Sequence, residues 1–322
     1  MSSSAALTYS SPAERGRRLD SGFAAAALTG LTKHQKEMPA KFFYDEEGSR
    51  LFDLITELPE YYPTRTETKL FRDKAGEIAT AIGADVELVE FGAGSLTKAQ
   101  LILEALKNPR AYVPIDISGD YLRQMAAKLE RALPKVPVHP VVADFTKPLK
   151  LPATGARRAG FFPGSTIGNL TYGEALVFLC RAAALLKGGG LLIGVDLVKD
   201  PAMLHAAYND SAGVTEAFNK NMLVRANREL GADFDPDTFA HYAFYNLPHR
   251  RIEMHLMSLK AQKVNVAGAS ISFSEGETIH TENSLKYTPD GFRALAREAG
   301  FTPRQMWTDP DRLFSVHWLE AP

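Results

Sequence analysis

Three apolar segments of this chain each end in residues suited to hold a polar ligand. "VELVEFGAG" closes on Gly92 and Gly94, "AYVPIDIS" reaches Asp116, and "VPVHPVVADF" reaches Asp144. Glycines at a strand end let a ligand approach the backbone closely. An acid about 20 residues further on can accept from ribose hydroxyls, and Asp144 is placed to accept from an adenine amino group. Taken singly, the glycine pair is equally a tight turn, and each aspartate is equally a helix cap. Three successive strand ends of this kind point to a nucleoside. The third glycine of a dinucleotide fingerprint is missing, with Leu96 and Thr97 in that region, so a pyrophosphate cradle is not expected. S-adenosylmethionine carries no phosphate and needs only a shallow glycine turn. Lys98 would then sit near its methionine carboxylate, the alternative being a solvated first-turn lysine.

A second chemical stretch is "FFPGSTIGNLTYGEA", residues 161–175, where an apolar strand opens into small and polar residues ending in Asn169. Loops at strand ends are common places for binding groups.

The elements that must position these residues follow from periodicity. Residues 45–58 read as a helix with Leu51, Phe52, Ile55 and Leu58 on one face, and a second helix runs from about Thr66 to Ile82. Strands then alternate with helices to residue 200, which implies right-handed crossovers and a mostly parallel sheet. The alternation pauses over 201–285, where helical segments precede two alternating runs, "RIEMHLMSLKAQKVNV" and "ASISFSEGETIHTENS", expected to be antiparallel strands. "TPDGFRALAREAGF" resumes the first pattern, and the final segments read as a closing hairpin. The expected organisation is an α/β domain over 66–200 and 286–322, interrupted by a unit at 201–285 that packs with residues 1–65. The cleft between the two is the expected site.

Bulk composition narrows the function. The chain has 322 residues, 45% hydrophobic and 23% charged, with net charge -1, so a large core is expected and nucleic-acid or membrane partners are not. A monomer is expected. The single cysteine, Cys180, cannot form an internal disulfide and is expected as a buried small hydrophobe. This composition, with no signal-like apolar segment in "MSSSAALTYSSPAERGRR", suits the cytoplasm. The Ser-rich start reads as a frayed terminus. His241, His249 and His255 lack metal-ligand spacing, and no metal site is expected.

Several motifs together resemble the histidine-specific Nα-methyltransferases of ergothioneine biosynthesis: "EYYPTRTE", "GSTIGNLT", "DLVKD", "AYNDSAGVTEAFN" and "RIEM". The likeness runs from about Lys41 to the C-terminus. It implies a class I methyltransferase fold, a Rossmann-like sheet with a discontinuous substrate-binding domain. It also implies transfer of three methyl groups from S-adenosylmethionine to the α-amine of L-histidine, giving hercynine. Carried over by motif, Gly92, Lys98, Asp116, Asp144 and Phe145 would hold the methyl donor. Tyr61, Asn169 and Tyr208 would hold the carboxylate and amine of the substrate, with Tyr61 and Asn169 as the catalytic pair. Glu282 and Ser284 would take the imidazole, Tyr44, Phe52 and Met254 would wall the pocket, and Gly164 would bring the backbone to the reacting centre. Of Tyr61 and Tyr62, one is expected to bind and one to pack. The alternatives are the same fold acting on another amino acid such as tryptophan, a nicotinamide oxidoreductase, or a non-catalytic S-adenosylmethionine-binding module.

Overall fold

The computed structural model of the chain describes residues 21–94, 96–151 and 155–322. The Ser-rich start expected to fray lies outside the described residues. The chain opens with α1 (Ser21–Leu31), β1 (Lys36–Glu37), α2 (Glu46–Glu57) and α3 (Tyr62–Ile82). Asp45 caps α2 by accepting from the Gly48 N–H at 2.7 Å, with Glu46 and Glu47 favourably placed in its first turn. The α3 helix starts four residues before the expected Thr66, because Pro63 in its first turn needs no hydrogen-bond acceptor.

The strand–helix alternation follows as β2 (Val86–Phe91), α4 (Thr97–Ala105), β3 (Ala111–Asp116), α5 (Gly119–Ala132), β4 (Val141–Val142), β5 (Arg157–Phe162), α6 (Tyr172–Leu185) and β6 (Gly190–Asp196). After the intervening segment come α9 (Pro289–Glu298), β12 (Thr302–Thr308) and β13 (Phe314–Glu320). Between them lie α7 (Pro201–Tyr208), α8 (Val214–Leu230), β7 (Phe239–Asn246), β8 (Arg251–Ser258), β9 (Gln262–Val266), β10 (Ala269–Phe273) and β11 (Thr278–Leu285).

The larger sheet has the order β12-β13-β6-β5-β2-β3-β4. Its strands β2 to β6 are parallel, and β13 returns antiparallel to β6. The chain winds away from β2 in both directions, so the strand order reverses between β2 and β5. Ligands bind outside the carboxyl ends of the strands at such a reversal. Both faces of β2 are buried: Leu88 packs into one apolar cluster with Phe71 and Phe161, and Val89 into another with Phe178 and Ile193. Neighbours on a strand point to opposite faces, which accounts for the two layers.

Two expectations are corrected here. The strand ending in Asp144 is only two residues long, because Pro137 and Pro140 cannot donate to a ladder; Val138 makes a single bridge to Tyr112. Asp144 therefore sits in the loop beyond β4. Cys180 is exposed, not buried: α6 turns Phe178, Leu179, Ala182 and Ala183 to the core and leaves position 180 on the outer face.

The smaller sheet has the order β1-β11-β8-β7, with β9 and β10 as a separate hairpin. Its core draws Phe23, Met38, Phe43 and Ile55 together with Met222, Leu223, Leu256 and Ile279. Register along β11 shifts between His280 and Glu282: His280 pairs with His255, but Glu282 pairs with Met254. One extra residue, Thr281, makes this a β-bulge. Strict alternation would give Glu282 the face of His280. The bulge gives Glu282 and Ser284 the face of Met254 and Ile252 instead.

Candidate active site

The two sheets meet around a small cavity. Tyr44, Phe52 of α2 and Tyr61 at the N-terminus of α3 form one wall, and Tyr208 at the end of α7 forms another. Glu282, Ser284 and Lys286 face it from β11 and its continuation, at alternate positions. The floor is the turn after β5, with Gly164, Ser165, Thr166 and Asn169, together with Asp196 at the end of β6. Tyr61 lines the cavity while Tyr62 packs beneath it, its hydroxyl donating to Asp196 Oδ2 at 2.7 Å. Met254 is fully buried in the core, across the strand from Glu282 and off the cavity wall.

The floor turn is held from three sides. Gly164 lies at φ +78° and Ser165 at φ 55°, the left-handed region that costs a serine but not a glycine. The Gly164 N–H donates to both oxygens of Glu67, at 2.9 and 2.8 Å. Ser165 Oγ accepts from the Asp196 N–H at 2.9 Å. A Cβ on Gly168 would lie 2.8 Å from the Leu285 carbonyl oxygen, so only glycine lets the turn press against β11.

Burial sets the electrostatics of this half. It pushes the Glu282 carboxyl up to about 7, against the pull of Lys286. It also drives the Tyr44, Tyr61 and Tyr208 hydroxyls well above their ordinary values, so all three stay protonated at neutral pH. Beneath the cavity, burial alone would raise Asp196, but Lys286 and Lys199 override it and hold that carboxyl below the usual range. Burial lowers Lys199 to about 8.

The strand ends of the larger sheet form the adjoining crevice. Gly92 lies at φ +72°, and a Cβ there would come within 3.2 Å of the Phe145 ring. A Cβ on Gly94 would meet nothing within 4 Å, so the backbone there faces open space. Asp116 accepts from the Ser118 N–H at 2.7 Å, and burial raises its carboxyl. Asp144 accepts from the Thr146 N–H at 3.0 Å and from Lys41 at 3.2 Å; these bonds outweigh burial and lower its carboxyl. Phe145 packs on Phe162 with ring centroids 5.4 Å apart. Lys98 pairs with Glu67, the same buried acid that holds Gly164. These groups fit S-adenosylmethionine: an open glycine turn without a phosphate cradle, two acids with spare acceptor capacity for ribose and adenine, and an aromatic edge.

Sequence reasoning missed Lys286, Asp196 and Glu67. Lys286 had a usable signal, since it continues the alternation of Glu282 and Ser284. Asp196 and Glu67 lie inside two of the motifs that carry the family likeness, "DLVKD" and "EYYPTRTE", but nothing in those motifs marks either as a buried acid of the site. Glu253, His255 and His280 also bring donor atoms within 4.8 Å of one another. The two rings stack at 4.7 Å and 14°, so their lone pairs lie side by side and do not converge. Arg251 already supplies Glu253 with a cation at 2.7 Å.

A winding parallel sheet, an antiparallel last strand and a phosphate-free nucleoside crevice beside an enclosed polar cavity define a class I S-adenosylmethionine-dependent methyltransferase. Residues 23–321 match the family model described as "Histidine-specific methyltransferase, SAM-dependent". The chain belongs to that family. It is 46% identical over 288 residues to a histidine N-alpha-methyltransferase of Mycolicibacterium smegmatis, covering 87% of this chain and 89% of the relative. The corresponding figures for a histidine N-alpha-methyltransferase of Mycobacterium tuberculosis are 43% over 287 residues, 87% and 89%. An ergothioneine biosynthesis protein 1 of Neurospora crassa is 31% identical over 301 residues, which span 85% of this chain but 32% of that longer protein.

Proposed function

We propose that this protein transfers three methyl groups in turn from S-adenosylmethionine to the α-amine of L-histidine, giving hercynine for ergothioneine biosynthesis. The observation that carries the reading is the pairing of Glu282 and Ser284 on one strand face inside an enclosed cavity that adjoins the nucleoside crevice. A polar pair of this kind recognises an imidazole, whereas an apolar slot separates similar rings poorly. Family membership and the two mycobacterial relatives support it.

In this reading Gly92, Lys98, Asp116, Asp144 and Phe145 hold the donor. When bound, the donor supplies a methyl group on a sulfonium, transferable by in-line displacement. Asn169 holds the amine through its carbonyl oxygen and the carboxylate through its amide hydrogens. Tyr61 and Tyr208 remain protonated and act as hydroxyl donors, not as tyrosinate bases. The amine proton leaves to water or through a hydroxyl relay, eased by desolvation and the nearby positive charge. Gly164 brings the backbone to the reacting nitrogen, and Tyr44, Phe52 and the floor turn exclude bulk water. Holding two reactants in line removes several kcal/mol of barrier, about 7 or more in favourable cases.

We assign residues 1–65 and 201–285 to substrate binding and 66–200 with 286–322 to donor binding. We also propose a cytoplasmic monomer without nucleic-acid or membrane partners; among the described residues no helix is long and apolar enough to cross a membrane. Mass spectrometry of a reaction with L-histidine and S-adenosylmethionine tests the function. Addition of three methyl groups is expected, a single methyl would indicate another end product, and no transfer would overturn the proposal.

A further inference from the structure

Lys286 is 3% exposed and lies one residue past β11, yet it faces the same cavity as Glu282 and Ser284. A lysine ammonium has three protons to donate and accepts none. Each has a partner here: Asp196 Oδ2 at 2.8 Å, Ser284 Oγ at 2.7 Å and Tyr208 Oη at 3.3 Å. Asp196 anchors the group. Its contacts to Lys199 and Tyr62 fix it in turn.

The consequence falls on the two hydroxyls. A hydroxyl carries one proton and two acceptor sites. Lys286 fills an acceptor site on Ser284 and on Tyr208, which biases both towards donating. Within the protein, Tyr208 donates to Ser284 at 2.7 Å, leaving the Ser284 proton to point elsewhere. With both acceptor sites on Ser284 filled, one by Lys286 and one by Tyr208, its proton is all it has to offer the ring.

We propose that Lys286 is a specificity-determining positioning residue: its ammonium, together with the Tyr208 hydroxyl, forces Ser284 to donate, so the bound ring must offer a lone pair there. This deepens the functional reading above and rests on it. Glu282 takes an N–H from the ring and Ser284 gives a proton to the other nitrogen. The site thus selects a neutral imidazole with one N–H and one bare nitrogen. Imidazolium, with two N–H groups, meets a donor where it needs an acceptor. Indole and phenyl rings offer no in-plane lone pair at all. An apolar residue at 286 would free Ser284 to accept or donate as the ring demands, and the discrimination would vanish.

Three histidine analogues isolate that one hydrogen bond. 4-Thiazolylalanine and 5-thiazolylalanine carry a bare ring nitrogen at one or the other imidazole nitrogen position, and thienylalanine carries none. All three lack the N–H that Glu282 would accept, so that loss cancels. Their affinities are measured by competition with histidine in calorimetry, in the presence of S-adenosylhomocysteine. In the unaltered protein one thiazole isomer should bind about tenfold tighter than thienylalanine. In Lys286→Met the preference should fall to about twofold or less, and Lys286→Arg should restore most of it. Ser284→Ala should abolish the preference too, and adding Lys286→Met to it should change nothing further, since both act through one bond. S-adenosylhomocysteine affinity, read in the same titrations, reports an intact fold. If Lys286→Met fails that check, the comparison of Lys286→Arg with Lys286→Gln replaces it, with Gln expected to lose the preference because it can accept from Ser284. A tenfold preference retained in the folded Met or Gln variant overturns the proposal, as does equal binding of all three analogues to the unaltered protein. Failure of the unaltered protein to methylate histidine, measured separately with labelled donor, overturns the functional reading while the ring preference stays readable.

Discussion

The donor and acceptor halves of the site are built on opposite plans. The donor half is a set of strand ends, half-exposed, drawn from one stretch between Gly92 and Phe145. Its Asp144 is held low by hydrogen bonds to Thr146 and Lys41. The acceptor half gathers side chains from Tyr44 to Lys286 into an enclosed space, where burial raises Glu282 to about 7 and keeps the tyrosines neutral. In the proposed reading the first half binds by fitting a backbone turn to a common cofactor. In the same reading the second selects one small molecule by the placement of a few buried polar atoms. The difference teaches that charge is cheap to keep at a strand end near water, and must be paired or suppressed inside the cavity.

Glu67 joins the halves, since it is fully buried, pairs with Lys98 and holds the Gly164 N–H. Glu67→Ala leaves Lys98 partly buried and unpaired, and should cost about 3–5 kcal/mol of stability. Chemical denaturation reads that loss, and affinities for both ligands should fall together. If only one falls, the halves are independent. Asn169→Ala should lower turnover about a hundredfold, with S-adenosylhomocysteine binding within about twofold. Rapid-quench kinetics alongside calorimetry checks this, and unchanged turnover would remove Asn169 from the reacting centre. Glu282→Ala should raise the KM for histidine about thirtyfold and relax selection against tryptophan and phenylalanine, leaving donor affinity alone. A competition assay with the three amino acids decides it. Asp144→Ala should weaken donor binding about tenfold without altering the order of preference among amino acids.

The smallest effect is one of pH. Glu282 accepts best as a carboxylate, and its ligand-free pKa is about 7. As pH falls through 7 the group protonates, so kcat/KM for histidine should decline on that side. Glu282→Gln should flatten this limb near 7 while leaving the part due to the substrate's own groups. The stability term has the opposite sign. A folded pKa above the unfolded 4.5 means that the native state binds the proton more tightly, so stability falls as pH rises from 4.5 to 7. The Gln variant should therefore gain melting temperature over the parent at pH 8 more than at pH 5.

Legibility in the sequence divides along the same line. Gly92, Asp116 and the alternating strands were readable because period and turn chemistry are local. Glu282 and Ser284 came from family likeness, not from pattern, because the bulge at Thr281 breaks the alternation that pattern reading relies on. Lys286 was within reach of an alternation count begun after that bulge. Glu67 and Asp196 stood inside family motifs but without a role: the role of each buried acid emerges only when Lys98, Lys286 and Gly164 arrive from elsewhere in the chain. Cys180 misled because cysteine is commonly interior, whereas its helix position faces water.

The extra residue in β11 makes the identity of the cavity a matter of counting. Drawing Thr281 into the ladder opposite Met254 would rotate everything downstream by half a pleat. Asn283 and Leu285 would look inwards, and the acid, the hydroxyl and the ammonium would look out. Such a slip changes no side chain yet erases the chemistry. Lengthening the β9–β10 hairpin, which hangs outside this sheet, leaves that tally untouched. Selection can therefore adjust substrate choice by swapping letters along β11, provided that residue 281 stays out of the ladder.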